Sequence, residues 1–71
     1  MSIKTIFAKN LRNIMYQNKI NQSDICSALN VSSSTVSDWC NGKKSPRLEK
    51  VEQLAVLLNV DYIEFFINKG E

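Results

Sequence analysis

The sequence predicts an all-α fold, a compact five-helix domain in which residues 1–71 form a single unit. Three observations carry that prediction. Apolar residues recur at steps of three and four along most of the chain, the period of an amphipathic helix, and nowhere show the alternation of a strand. Only two glycines and one proline interrupt the chain, so few positions break a helix. An apolar fraction of 44% over 71 residues supplies one hydrophobic core and excludes a disordered tail.

The first helix is expected over residues 5–18, where Phe7, Leu11, Ile14 and Met15 share a face and Lys9, Arg12, Asn13 and Gln17 fall between them. Asn18-Lys19 ends it. Asn21 is a natural N-cap with Asp24 three residues on, close to a capping box, and opens a second helix over residues 22–29 with Ile25, Cys26 and Leu29 inward. Two turns are too short to persist without tertiary packing. Asn30-Val31-Ser32 forms a tight connection, because Asn tolerates the left-handed conformation that ends a helix and Ser32 caps the next one.

The third helix is expected over residues 33–41, with Val36, Trp39 and Cys40 on one face, Ser33, Ser34, Ser37, Asp38 and Asn41 on the other, and Gly42 as C-cap. Ser45-Pro46 reads as a capping serine followed by proline at the first helical position. Leu48, Val51, Leu54, Ala55 and Leu58 continue that fourth helix to about residue 59. Asp61 and Glu64 form a second capping pair for a last short helix, with Ile63, Phe65, Phe66 and Ile67 as its apolar bulk.

Charge is unevenly distributed. Residues 1–48 hold seven bases and two acids, a net +5, whereas residues 49–71 hold two bases and five acids, a net −3. Such asymmetry suits a surface that faces a polyanion and a far side that faces water. The chain has no histidine, and its two cysteines lack metal-ligand spacing, so Cys26 and Cys40 read as buried reduced thiols, with a disulfide open but unneeded. No apolar run approaches a membrane span and no signal peptide is legible, so the expected location is cytoplasmic.

Two short helices joined by a tight turn, the second with a narrow apolar stripe and a face of small hydroxyl side chains, describe a helix-turn-helix at about residues 22–41. A helix that enters a major groove about 12 Å wide must bury one side in its own domain and present the other to base edges. Short serine side chains allow close backbone approach, and their hydroxyls both donate and accept.

Residues 11–66 resemble the Cro/CI-type, lambda repressor-like helix-turn-helix family. The resemblance rests on Leu11-Arg12 and Ile14, Asn21-Gln22, Ile25-Cys26, Leu29 and Val31-Ser32. It continues through Thr35-Val36-Ser37, Trp39, Asn41-Gly42-Lys43, Pro46, Leu54-Ala55, Leu58 and Val60. It implies that Ser33, Ser34, Ser37 and Asp38 face base edges and that Asn21, Gln22, Ser32, Asn41, Lys43 and Lys44 face the DNA backbone. A phosphate at Gln22 would sit where free N–H groups and the helix dipole favour an anion. Trp39 and Val36 match packing positions.

Three positions depart from the family pattern. The family often pairs an arginine at position 15 with a glutamate at position 40, joining the first and third helices; here both are changed, to Met15 and Cys40. Replacement of both partners by an apolar contact avoids an uncompensated charge and predicts that Met15 and Cys40 touch. Lys19 stands where the family usually has glycine, and a lysine held at positive φ costs about 1 kcal/mol. Asp38 near phosphates needs a reason: readout of a cytosine amine, rejection of sites lacking such a donor, or a solvent-facing side chain with no role.

The resemblance implies sequence-specific double-stranded DNA binding by a transcriptional repressor of phage or prophage type. So small a reader implies two copies on a near-palindromic operator, as a weak homodimer built through the C-terminal helix. Phe65, Phe66, Ile67 and Tyr62 offer more apolar surface there than the core is expected to absorb. An antitoxin-like protein-interaction module on the same fold is the alternative. No enzyme is expected, since no nucleophile and base pair and no phosphate-cradling glycine loop is present, and no cofactor or metal is called for.

Overall fold

The computed structural model describes residues 2–68. It consists of α1 (Ile3–Asn18), α2 (Gln22–Leu29), α3 (Ser33–Asn41), α4 (Leu48–Leu58) and a 3₁₀ helix (Tyr62–Phe65), with no strand among the described residues.

Caps set most of the boundaries. Ser2 Oγ accepts from the Thr5 amide at 3.3 Å, which starts α1 two residues before the expected position. Lys19 closes α1 in the left-handed region, φ 57°. The capping box of α2 is complete: Asn21 Oδ1 accepts from the Asp24 amide at 2.9 Å, and Asp24 Oδ2 accepts from the Asn21 amide at 3.0 Å. Asn30 ends α2 at φ 57°, Ser32 caps α3 through the Thr35 amide, and Gly42 ends α3 at φ 75°. At Gly42 the αL geometry is the constraint, since a Cβ there would meet only ordinary contacts with α1.

Two expectations are corrected. The fourth helix does not start at Ser45-Pro46: residues 44–47 are irregular, Arg47 occupies the N-cap position without a side-chain cap, and Leu48, expected inward, is 69% exposed. The helix begins where docking of Val51, Leu54 and Leu58 into the core requires it, and a local cap signal worth about 1 kcal/mol yields to that burial. The fifth helix is a single 3₁₀ turn. Asp61 makes no side-chain cap hydrogen bond, and the Phe66 amide closes on the Ile63 carbonyl at 2.9 Å, which ends the turn.

The core is shared by every element. α1 contributes Phe7, Leu11, Ile14 and Met15, α2 Ile25 and Leu29, α3 Val36, Trp39 and Cys40, and α4 Val51, Leu54, Ala55 and Leu58, closed by Phe65. Phe65, wholly buried, and half-buried Phe66 both stack near Phe7, with ring centroids at 5.3 and 5.7 Å, so the core absorbs more of the C-terminal aromatic surface than expected. Asn10, the buried polar residue of α1, donates through Nδ2 to the carbonyls of Phe65 at 2.9 Å and Ile67 at 2.7 Å and ties the C-terminal segment down. α3 packs on α1 and α2 and comes near neither α4 nor the 3₁₀ helix, which leaves its remaining sides open.

Candidate nucleic-acid interface

Val36, Trp39 and Cys40 hold α3 to the body of the protein: Val36 has no exposed surface, and the other two are buried. Their spacing sends Ser33 and Ser34 fully outward, whereas Ser37 and Asp38 lie half-buried on the flank of the same helix. Asn41, Lys43 and Lys44 are exposed at its C-terminal end. Asn21, Gln22 and Ser32 are exposed at the starts of α2 and α3.

Hydrogen bonding divides these side chains into committed and free groups. Ser32 Oγ shares hydrogen bonds with Thr35 Oγ1 at 2.8 Å and Ser34 Oγ at 3.2 Å besides capping α3, so its hydroxyl is largely occupied. Asn41 Nδ2 donates to Ser37 Oγ at 3.2 Å. Asn21 spends its oxygen on the capping box and keeps its amide nitrogen free to donate. Among the described residues, the side chains of Ser33, Asp38 and Gln22 and the ammonium groups of Lys43 and Lys44 make no hydrogen bond or ion pair, so their polar atoms are available to a ligand.

The loop after α3 is wound onto one acceptor. The Asp38 carbonyl accepts from the amides of Gly42, Lys43 at 3.0 Å and Lys44 at 3.4 Å. Lys43 and Lys44 follow α3 directly and are exposed, so α3 offers hydroxyl and amide groups and the Asp38 carboxylate along its length and two lysines just beyond its end. A polyanion with a polar edge between its charges is the complementary ligand.

Beneath this face lies the α1–α3 joint. Cys40 Sγ lies 3.8 Å from Met15 Sδ, the expected contact. Burial pushes the Cys40 thiol above its ordinary pKa, and the nearby Arg12 guanidinium opposes that shift. Cys26 is half-buried on α2, and both thiols are free.

Two side chains at the helix ends had no role assigned from sequence. Arg12 Nη1 donates to the Cys40 carbonyl, and Lys50 Nζ donates to the Leu29 carbonyl at 3.3 Å, closing α2. The signal for Arg12 was the joint departure at positions 15 and 40, which leaves the end of α3 without the cation the family pattern supplies. Among the described residues no group of three or more His, Cys, Asp or Glu could hold a metal ion, and no helix is long and apolar enough to cross a membrane.

The family model for the Helix-turn-helix matches residues 9–65. The chain is also similar to the solution structure of the SOS-response transcriptional repressor LexA from Eubacterium rectale, at 31% identity and a TM-score of 0.87, over 94% of this chain and 71% of that one. No curated protein matches it.

Proposed function

The chain belongs to the Cro/CI-type helix-turn-helix family of DNA-binding transcription regulators, and from that premise we propose that it is a cytoplasmic, sequence-specific repressor of phage or prophage type. The observation that carries the reading is the two-sidedness of α3: an inner side wholly in the core and an outer side of serines with unspent hydrogen-bonding capacity.

In this reading Ser33, Ser34, Ser37 and Asp38 meet base edges in the major groove. Asn21 and Gln22 take a phosphate at the start of α2, and Ser32, Asn41, Lys43 and Lys44 take the backbone beside α3. Serine discriminates modestly because it both donates and accepts, so Asp38, which only accepts when ionised, adds the sharper preference, for the exocyclic amine of cytosine. The operator is near-palindromic, with half-sites about 34 Å apart, and two copies meet through the C-terminal segment, where Tyr62, Ile63 and Ile67 remain exposed.

Selection of bound duplexes from a random pool, with affinities measured across salt concentrations, tests this. The expected result is a two-fold symmetric motif and a steep loss of affinity with salt. Recovery of no motif overturns the reading. Asp38→Asn is expected to lose preference at one base position, and uniformly tighter binding to all sequences would exclude its part in readout.

A further inference from the structure

We propose that Arg12 is a positioning residue for α3: by holding the Cys40 carbonyl it sets how far the reading face projects, and so governs discrimination between sequences rather than attraction to phosphate. The inference rests on the repressor reading above.

Cys40 sits in the last turn of α3, where helical carbonyls lack an amide partner. The Lys44 amide, the one in register to satisfy it, is drawn instead to the Asp38 carbonyl. Arg12 fills that vacancy from α1. Its guanidinium brings a positive charge to the negative end of the α3 dipole, in a planar fork whose geometry is preset. In the family pattern a side-chain ion pair between positions 15 and 40 joins these two helices. In this chain the same residue, 40, is still gripped by an α1 cation, but the cation comes from position 12 and its partner is the neutral backbone carbonyl.

Arg12 adds a directional bond to a helix whose most extensive packing is against α1. α3 is nine residues long and approaches neither α4 nor the 3₁₀ helix. Beyond Arg12, its C-terminal turn is fastened to α1 by buried apolar contacts, the Met15–Cys40 pair among them, and hydrophobic burial is non-directional. Hydrogen bonds to bases lose strength steeply when distance or angle drifts, whereas phosphate attraction tolerates such drift. Removing Arg12 therefore costs specific recognition first.

Lys50 provides an internal control, because it makes the same kind of bond, cation to helix-terminal carbonyl, on α2, whose C-terminal turn carries none of the proposed DNA contacts. Wild type, Arg12→Met, Arg12→Lys and Lys50→Met are compared on the duplex selected from the random pool and on a scrambled duplex of equal length, over a range of salt. Arg12→Met is expected to bind the selected duplex about tenfold more weakly, the scale of one hydrogen bond to a charged group, with scrambled-duplex affinity and salt slope unchanged. Arg12→Lys, which keeps the charge but loses the fork, falls between and carries the test if Arg12→Met does not fold. Lys50→Met is expected to keep the ratio of specific to non-specific affinity.

Equal weakening on both duplexes with a salt slope lowered by about one would make Arg12 a phosphate contact and overturn the inference. So would an unchanged ratio in Arg12→Met and Arg12→Lys, or an equal fall in Lys50→Met. If wild type selects a motif, those results sink the positioning role alone; if it selects none, the repressor reading has failed first.

Discussion

The apolar side chains of α3 all turn inward, and what it shows to solvent is hydroxyl, amide and carboxylate. The C-terminal segment does the reverse with part of its composition: Phe65 is buried, but Tyr62, Ile63 and Ile67 stay exposed, near Val56 in sequence on α4, which is 82% exposed. One surface can be satisfied by water, whereas the other carries apolar area that water does not satisfy. The two faces therefore differ in chemistry, which fits the proposed assignment of nucleic acid to α3 and of a second copy to the C-terminal end.

The largest expected effect tests the inner side of α3. Trp39→Ala should cost about 3–5 kcal/mol, a large share of the stability of so small a domain, and abolish cooperative thermal unfolding. Ser34→Ala, on the opposite side of the same helix, should leave the melting curve within about 0.5 kcal/mol of wild type and act only on DNA binding. Comparable melting losses in both variants would erase the two-sided description.

Next comes the tie that holds the C-terminal segment. Asn10→Ala leaves the Phe65 carbonyl buried without its donor and should destabilise by about 1–3 kcal/mol, with amide chemical-shift changes concentrated in residues 62–68 and the α3 amides spared. Ile63→Ser should change stability by no more than about 0.5 kcal/mol yet weaken self-association in sedimentation, on and off operator DNA. A wild-type monomer under both conditions would remove the proposed protein face.

Smaller shifts are expected at Lys19 and Cys40. Lys19→Gly relieves the left-handed strain at φ 57° and should raise stability by up to about 1 kcal/mol. The raised Cys40 pKa means that the folded state holds the thiol proton more tightly than the unfolded chain. The stabilisation is therefore complete at neutral pH and lost as pH rises through the alkaline range, and Cys40→Ala should show a shallower alkaline decline in melting temperature than wild type. A thiol reagent should modify half-buried Cys26 first and reach Cys40 only as the protein unfolds.

The extents of α2 and α3 were legible residue for residue, because both ends of each carry capping chemistry that acts over three or four positions. The start of α4 was not, since Ser45-Pro46 is a sound local signal overridden by where Val51 and Leu54 must dock. The outward placement of Ser33 and Ser34 followed from helical spacing once Val36 and Trp39 were taken as inward. Whether their hydroxyls were free or spent did not, as the Ser32–Ser34 and Asn41–Ser37 bonds depend on rotamers that spacing leaves open.

By itself, the order of residues determined the helical period, the turns at Lys19, Asn30 and Gly42 and most of the inner stripe of each long helix, while the contact between Met15 and Cys40 was an expectation from the family resemblance that the structure bears out. Only the tertiary structure decided that Arg12 reaches the Cys40 carbonyl and that Asn10 secures Phe65 and Ile67, partners 28, 55 and 57 positions away. Caps and periodicity are written in neighbouring residues, whereas a bond between distant ones exists only after the core has brought two helices to a particular separation and rotation.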